Sequence, residues 1–277
     1  MVERFLPREQ FDSYEDFKQN YRLQIPEDFN FAYDVIDQWA AQEFDKPALV
    51  RVAQDLDRVE RLSFGQLMER SCQAANYFAA HGVQKGDFVL LILRQRVEAW
   101  ICMLALHRIG AVVIPATFQL MPHDIEYRCN KAGIKMICCV DDAELLANIQ
   151  QVRPQCPTLK YVAVVGEQIP EGCEDFRAQV AAYPKTFPRP TGAAATHNDD
   201  LMLGYFTSGT TGMPKLIVHT YTYPLGHITT AKYWHQVQEG QLHFVSADSG
   251  WAKFGWGKIY GQWICGAVIV AYDTVGR

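Results

Sequence analysis

The stretch Tyr205-Phe-Thr-Ser-Gly-Thr-Thr-Gly-Met-Pro-Lys215 gathers two glycines, four hydroxyl side chains and a lysine directly behind the apolar run Leu201-Met-Leu-Gly-Tyr-Phe206. These residue types suit the binding of phosphate. Gly209 and Gly212 let the backbone turn sharply and approach a ligand with no Cβ in the way. Thr207, Ser208, Thr210 and Thr211 set hydroxyl donors beside exposed backbone N–H groups, a nest for anionic oxygens. Lys215 adds a compact positive charge where the loop ends. A plain polar turn would also be rich in Gly, Ser and Thr. The consecutive hydroxyls, the glycines three apart and the Pro214-Lys215 exit favour the phosphate cradle. No Gly-Lys-Ser/Thr follows a Gly-x-x-x-x spacer, so the loop is not a Walker A motif.

With every position of its pattern filled, this stretch resembles the signature loop of the adenylate-forming superfamily: acyl-CoA synthetases, luciferases and the adenylation domains of peptide synthetases. Further blocks resemble the medium-chain acyl-CoA synthetase branch: Phe29 to Trp39, Arg96 to Trp100, Arg108 to Val112 and Pro115 to Leu120. Asp248-Ser-Gly-Trp251 resembles that branch's Asp-Thr-Gly-Trp block, with Ser249 as the departure. The resemblance implies an acid–CoA ligase that uses ATP, Mg²⁺ and coenzyme A as co-substrates and releases AMP and pyrophosphate. It gives Thr207, Ser208, Gly209, Thr210, Thr211, Gly212 and Lys215 to the ATP phosphates, and it makes Trp251 a candidate for the wall of the acyl pocket. Asp248 reads as a residue that fixes its loop rather than as a base, and His219 as a strand histidine.

The resemblance stops inside the large N-terminal domain of that superfamily. Its aromatic-Gly-x-Thr-Glu block, its ribose-binding aspartate and its catalytic lysine have no counterpart up to Arg277. It therefore implies an N-terminal part only, with no full turnover expected of this chain alone. Two alternatives are a non-catalytic remnant with weak or no nucleotide binding, and an aryl-acid–CoA ligase that shares the loop but takes another acid. Strands left without partners would form open edges that favour self-association.

The elements that position the loop alternate in type. Ser63-Phe-Gly-Gln66 is a capping box opening a helix with its apolar stripe at Phe64, Leu67, Met68, Ala74, Ala75 and Phe78. Phe88 to Leu93 is a continuous apolar run, as expected of a strand covered on both faces. Helices are predicted at Val97–Ile109, Asp124–Lys131 and Asp142–Val152, and strands at Ala111–Ile114, Lys135–Val140 and Tyr161–Val165. This rhythm predicts an α/β fold of layered, largely parallel sheets with crossover helices. Pro184, Pro188, Pro190 and Gly192 mark residues 184–200 as a connection between a first α/β unit, 1–183, and a second unit, 201–277, which carries the loop. In the second unit a strand is predicted near Leu242–Ser246, a helix around Phe254–Trp263 and a strand at Ala267–Ala271.

Composition closes off other classes. The 277 residues are 49% hydrophobic and 21% charged with a net charge of −5, which argues against a nucleic-acid surface. No apolar run is long enough to span a bilayer, and the opening Met-Val-Glu-Arg-Phe-Leu-Pro-Arg lacks the apolar core of a secretion signal, so the expected location is the cytoplasm. The eight cysteines form no Cys-x-x-Cys pair and read as buried structural thiols. His219, His227, His235 and His243 recur every eight residues, but on a helix that spacing turns successive side chains about 80° apart, so no shared metal site is expected. Arg96, Glu98, Asp141 and Asp142 read as solvated helix starts.

Overall fold

The computed structural model of the protein describes residues 1–208 and 212–273. Among the described residues eleven strands build two sheets. In chain order they are β1 (Pro47–Ala53), β2 (Val59–Ser63), β3 (Phe88–Ile92), β4 (Val112–Pro115), β5 (Met136–Val140), β6 (Tyr161–Val165), β7 (Glu174–Asp175), β8 (Leu201–Thr207), β9 (Lys215–Thr220), β10 (Leu242–Phe244) and β11 (Val268–Asp273). The helices are α1 (Tyr14–Asn20), α2 (Asp37–Gln42), α3 (Phe64–Ala80), α4 (Val97–Ile109), α5 (Pro122–Ala132), α6 (Ala143–Val152), α7 (Phe176–Val180), α8 (Tyr223–Gly226), α9 (Ala252–Lys258) and α10 (Tyr260–Ile264).

The larger sheet has the order β7-β6-β5-β3-β4-β8-β9 and is parallel except for β9, which returns antiparallel beside β8. Its central strands are apolar at every position because helices cover both faces. Val89, Leu91, Cys138 and Ala163 point into one core, shared with α3 and α4. Their neighbours Leu90, Ile92, Ile137, Cys139 and Val162 point into the other, under α5 and α6. Every residue of α4 is buried, so it lies within the larger core and not on the surface. Its Arg108 is tied there by Asp37, at 2.9 and 2.5 Å, and by Ser71 Oγ at 3.0 Å.

The capping box is present: Gln66 N–H donates to Ser63 Oγ at 3.1 Å, and Ser63 N–H donates to Gln66 Oε1 at 3.0 Å. Ser63→Ala should cost about 1 kcal/mol, measured as a lower urea midpoint with an unchanged m-value.

The division at residues 184–200 does not separate two sheets. β8 and β9 extend the larger sheet through the pairing Val113↔Leu203. β10 and β11 instead join β1 and β2 in a four-stranded sheet of order β10-β11-β1-β2. The physical reason is that β4 and β1 each have an edge of backbone N–H and C=O groups, and these edges pair with β8 and β11 from later in the chain. The connecting segment is itself bound to the body: Lys85 Nζ donates to Ala195 O at 2.7 Å, and Asn198 Oδ1 accepts from Phe29 N–H at 2.9 Å. The helix predicted over Phe254–Trp263 is two short helices broken at Ile259, where φ is −137° and ψ is −78°.

Two smaller expectations also change. Glu98 is buried and pairs with Arg177 at 2.5 Å, and Arg96 lies 3.0 Å from the carboxylate of Asp273, so neither belongs to a solvated helix start. Asp142 does cap α6, accepting from Leu145 N–H at 3.0 Å. All eight cysteines are free thiols; all but Cys173 are buried.

Candidate functional site

β3, β4 and β8 run parallel, so their carboxyl ends open on one edge of the sheet, where open α/β sheets bind ligands. β8 reaches this edge as a buried strand and emerges into solvent at Thr207 and Ser208. β9 takes the chain back, and its first residue, Lys215, lies opposite Thr207 in the ladder. The predicted phosphate stretch thus starts at the end of β8 and finishes at the start of β9, where Lys215 stands. Gly212 has φ +96°, and a Cβ there would meet no atom within 4 Å, so this side of the loop is open. Gly209, Thr210 and Thr211 lie outside the described residues. From α5, Tyr127 Oη donates to Pro214 O at 2.9 Å, and the guanidinium of Arg128 lies over Phe206 at 5.2 Å. These contacts hold the hairpin base against the sheet.

On the same sheet edge, at the ends of β3 and β4, lies a cavity of about 470 Å³. Arg94 and Gln95 line it from the end of β3, Thr117 to Gln119 from the end of β4, and Phe244 to Asp248 from the segment after β10. Arg94 has φ +51°, a left-handed backbone that a side chain of this size seldom adopts, and such strain gathers at ligand sites. Trp251 stands on the cavity rim, 68% exposed, and is not a core tryptophan. Asp248 bends its own loop by accepting from Gly250 N–H at 2.8 Å. Burial pushes the Asp248 carboxyl up, against the opposing influence of that N–H and of Arg94.

One residue of the cavity was not foreseen from the sequence. Lys258, at the end of α9, is 1% exposed. Its ammonium donates to Gln95 Oε1 and to Val245 O, both at 2.9 Å, with the Trp100 and Phe244 rings each 5.7 Å away. Burial lowers its pKa to about 8. The signal was present in the sequence: Lys258 follows Phe254 by one helical turn and so falls on the apolar face. The same helix links the two halves of the site. A Cβ at Gly255 would come within 2.6 Å of Tyr205 Oη, so α9 packs directly on β8.

The four histidines spaced eight apart do come together, through tertiary packing rather than along a helix. Ring contacts run from His219 to Tyr223 (4.2 Å), Tyr223 to His227 (4.5 Å), His227 to Trp256 (6.4 Å), Trp256 to His235 (6.1 Å) and His235 to His243 (5.1 Å). Burial lowers the His227 pKa to about 4. The file is a run of ring contacts, some stacked and some edge-on; among the described residues no group of three or more metal-ligating side chains forms.

The sequence model of the AMP-binding enzyme family matches residues 36–277. Acyl-coenzyme A synthetase ACSM3, mitochondrial, of Pongo abelii is 33% identical over 95% of this chain and 45% of its own length. The protein of the same name from Homo sapiens is 32% identical over the same shares, and ACSM4 of Homo sapiens is 32% identical over 90% of this chain and 43% of its own. The chain thus spans about half the length of the curated relatives it matches. Among solved structures, the anthranilate CoA ligase AuaEII in complex with anthranoyl-AMP superposes with a TM-score of 0.78 at 24% identity, over 91% of this chain and 46% of that one. Acetoacetyl-CoA synthetase from Streptomyces lividans gives 0.78 at 22%, over 88% of this chain and 38% of that one. These two show the fold. The cytoplasmic location expected above is overturned, because the curated relatives are mitochondrial by name. The opening residues could not have decided it, since mitochondrial targeting uses amphipathic, Arg-rich segments rather than an apolar core.

Proposed function

Because the chain belongs to the AMP-binding enzyme family, we propose that it carries the phosphate-binding and acyl-binding parts of an AMP-forming acid–CoA ligase acting on a short- or medium-chain carboxylic acid. The observation that supports this most is the placement of the Thr207–Lys215 hairpin and the cavity on one carboxyl edge, joined by α9. The cavity lies in the size range of small-molecule sites. Phe118, Phe244 and Trp251 offer aromatic wall to an acyl tail, while Arg94 and Lys258 favour an anionic head.

Both partners in adenylation are anions, so charge is the obstacle, and catalysis rests on positioning and electrostatic stabilisation. Thr207 and Ser208 would donate to the β- and γ-phosphates, and Lys215 would offset charge growing on the pyrophosphate as the acid oxygen bonds to the α-phosphorus. Mg²⁺ would enter on the nucleotide's phosphates, since the described residues offer it no ligand cluster of their own. Coenzyme A would then take the acyl group and release AMP. The mitochondrial relatives make that compartment part of this reading. The exposed Ile217 and Val218 on β9, and Leu242 on β10, would serve self-association or contact with further chain.

Lys215→Ala tests the loop. ATP affinity, measured by calorimetry, should fall roughly 10- to 100-fold, the worth of one charge-assisted contact. Unchanged affinity would remove the phosphate role.

A further inference from the structure

A second cleft, of about 430 Å³, lies between β1, β2, α3, the start of α4 and α7, and it shares no lining residue with the cavity described above. Its walls carry five arginines, Arg51, Arg58, Arg70, Arg96 and Arg177, against two carboxylates, Glu60 and Glu98. The carboxylates are taken: Glu60 by Arg70 at 2.8 Å and Glu98 by Arg177 at 2.5 Å. Arg58 turns to Asp55 at 3.2 Å. Arg51 and Arg96 share one further carboxylate, Asp273, at 2.5 and 3.0 Å, and Arg94 reaches the same group at 3.6 Å. Among the described residues the cleft's five guanidinium groups thus meet four carboxylates, an excess of positive charge.

Hydrogen bonding agrees with the charge count. Arg51 Nε and Arg96 Nε are buried without a hydrogen-bond acceptor, although the latter lies close to Asp273. Leaving such donors unmet costs stability. The planar guanidinium fork matches phosphate oxygens in paired N–H···O contacts. Ile101, Phe176 and Val180 give the cleft an apolar side for an organic group. Glu98 Oε2 is buried and without a partner, an acceptor available to a hydroxyl.

We propose that this cleft binds a hydroxyl-bearing phosphate monoester, with its phosphate between Arg51, Arg96 and Arg70 and its hydroxyl on Glu98. The site is independent of the ATP loop and does not rest on the ligase reading.

The probe is glycerol 3-phosphate, titrated into the protein at constant ionic strength and followed by thermal unfolding and calorimetry. A saturable rise in Tm is expected. Arg96→Gln and Arg70→Gln should each weaken binding about tenfold or more, the worth of a charge-assisted hydrogen bond. Lys215→Ala should bind the probe as the parent does. Arg70 is 42% exposed and, among the described residues, pairs only with Glu60, so its variant tests the cleft even if Arg96→Gln fails to fold. The proposal is overturned by no saturable rise, by an equal rise with potassium chloride at matched ionic strength, or by affinity kept in the arginine variants. Affinity lost in Lys215→Ala alone would move the phosphate to the hairpin and overturn it as well.

Discussion

Gly250→Ala is expected to destabilise the protein by roughly 3 kcal/mol or more and to open the cavity at its floor. A Cβ on residue 250 would lie 2.1 Å from Thr117 N and 2.4 Å from the carbonyl carbon of Ala116. Both obstructing atoms are backbone at the end of β4, so no rotamer change relieves the clash. Either the Asp248–Trp251 turn lifts away or the end of β4 shifts, and both line the site. In a chain of this size the loss corresponds to a drop of about 6–12 °C in Tm. Gly226→Ala is the control, because a Cβ there would meet nothing within 4 Å and φ is not positive. The control should stay within about 0.5 kcal/mol of the parent. If Gly250→Ala unfolds as late as Gly226→Ala, the close approach of the turn to β4 is not what shapes the cavity.

That approach also marks the limit of what could be read from the chain alone. Local signals carried well: α4 and β6 fall at the residues where periodicity and apolar runs placed them, Val97–Ile109 and Tyr161–Val165. The strands that flank the proposed phosphate stretch were legible for the same reason, since β8 and β9 are adjacent in the chain and pair with each other. Sheet membership was not, because it depends on pairings between distant segments such as Leu49↔Ile269 and Val113↔Leu203. Neither partner shows by its own composition which edge it will cover. The cavity was equally hidden. It is assembled from the ends of β3 and β4, the segment after β10 and the last residue of α9. Trp251 was found only through its block; Lys258, a charge on an apolar face, could have been found by asking why it was there.

Lys258→Met answers that question through pH. The lysine is buried, and its pKa falls from an ordinary 10.5 when unfolded to about 8 when folded. Below pH 8 the amine is charged in both states, and folding bears the full cost of burying the cation. Between about pH 8 and 10.5 the folded protein has released that proton while the unfolded chain still holds it. The unfolded state then binds more protons, so stability rises with pH across this window. A shift of this size is worth on the order of 3 kcal/mol. The parent should therefore gain about that much over Lys258→Met between pH 7.5 and 10.5, measured as the difference in urea unfolding free energy; other titrating groups cancel in the comparison. The offset at pH 7.5 has no required sign, since methionine removes the buried charge but leaves Gln95 Oε1 and Val245 O without their donor. Parallel pH profiles for the two proteins would mean that Lys258 keeps an ordinary pKa and that its charge costs the fold nothing. The predicted divergence would instead identify a cation held in the cavity wall against its own desolvation. A carboxylate bound in the cavity would relieve that cost, so acid binding between pH 8 and 10 should take up a proton from solution.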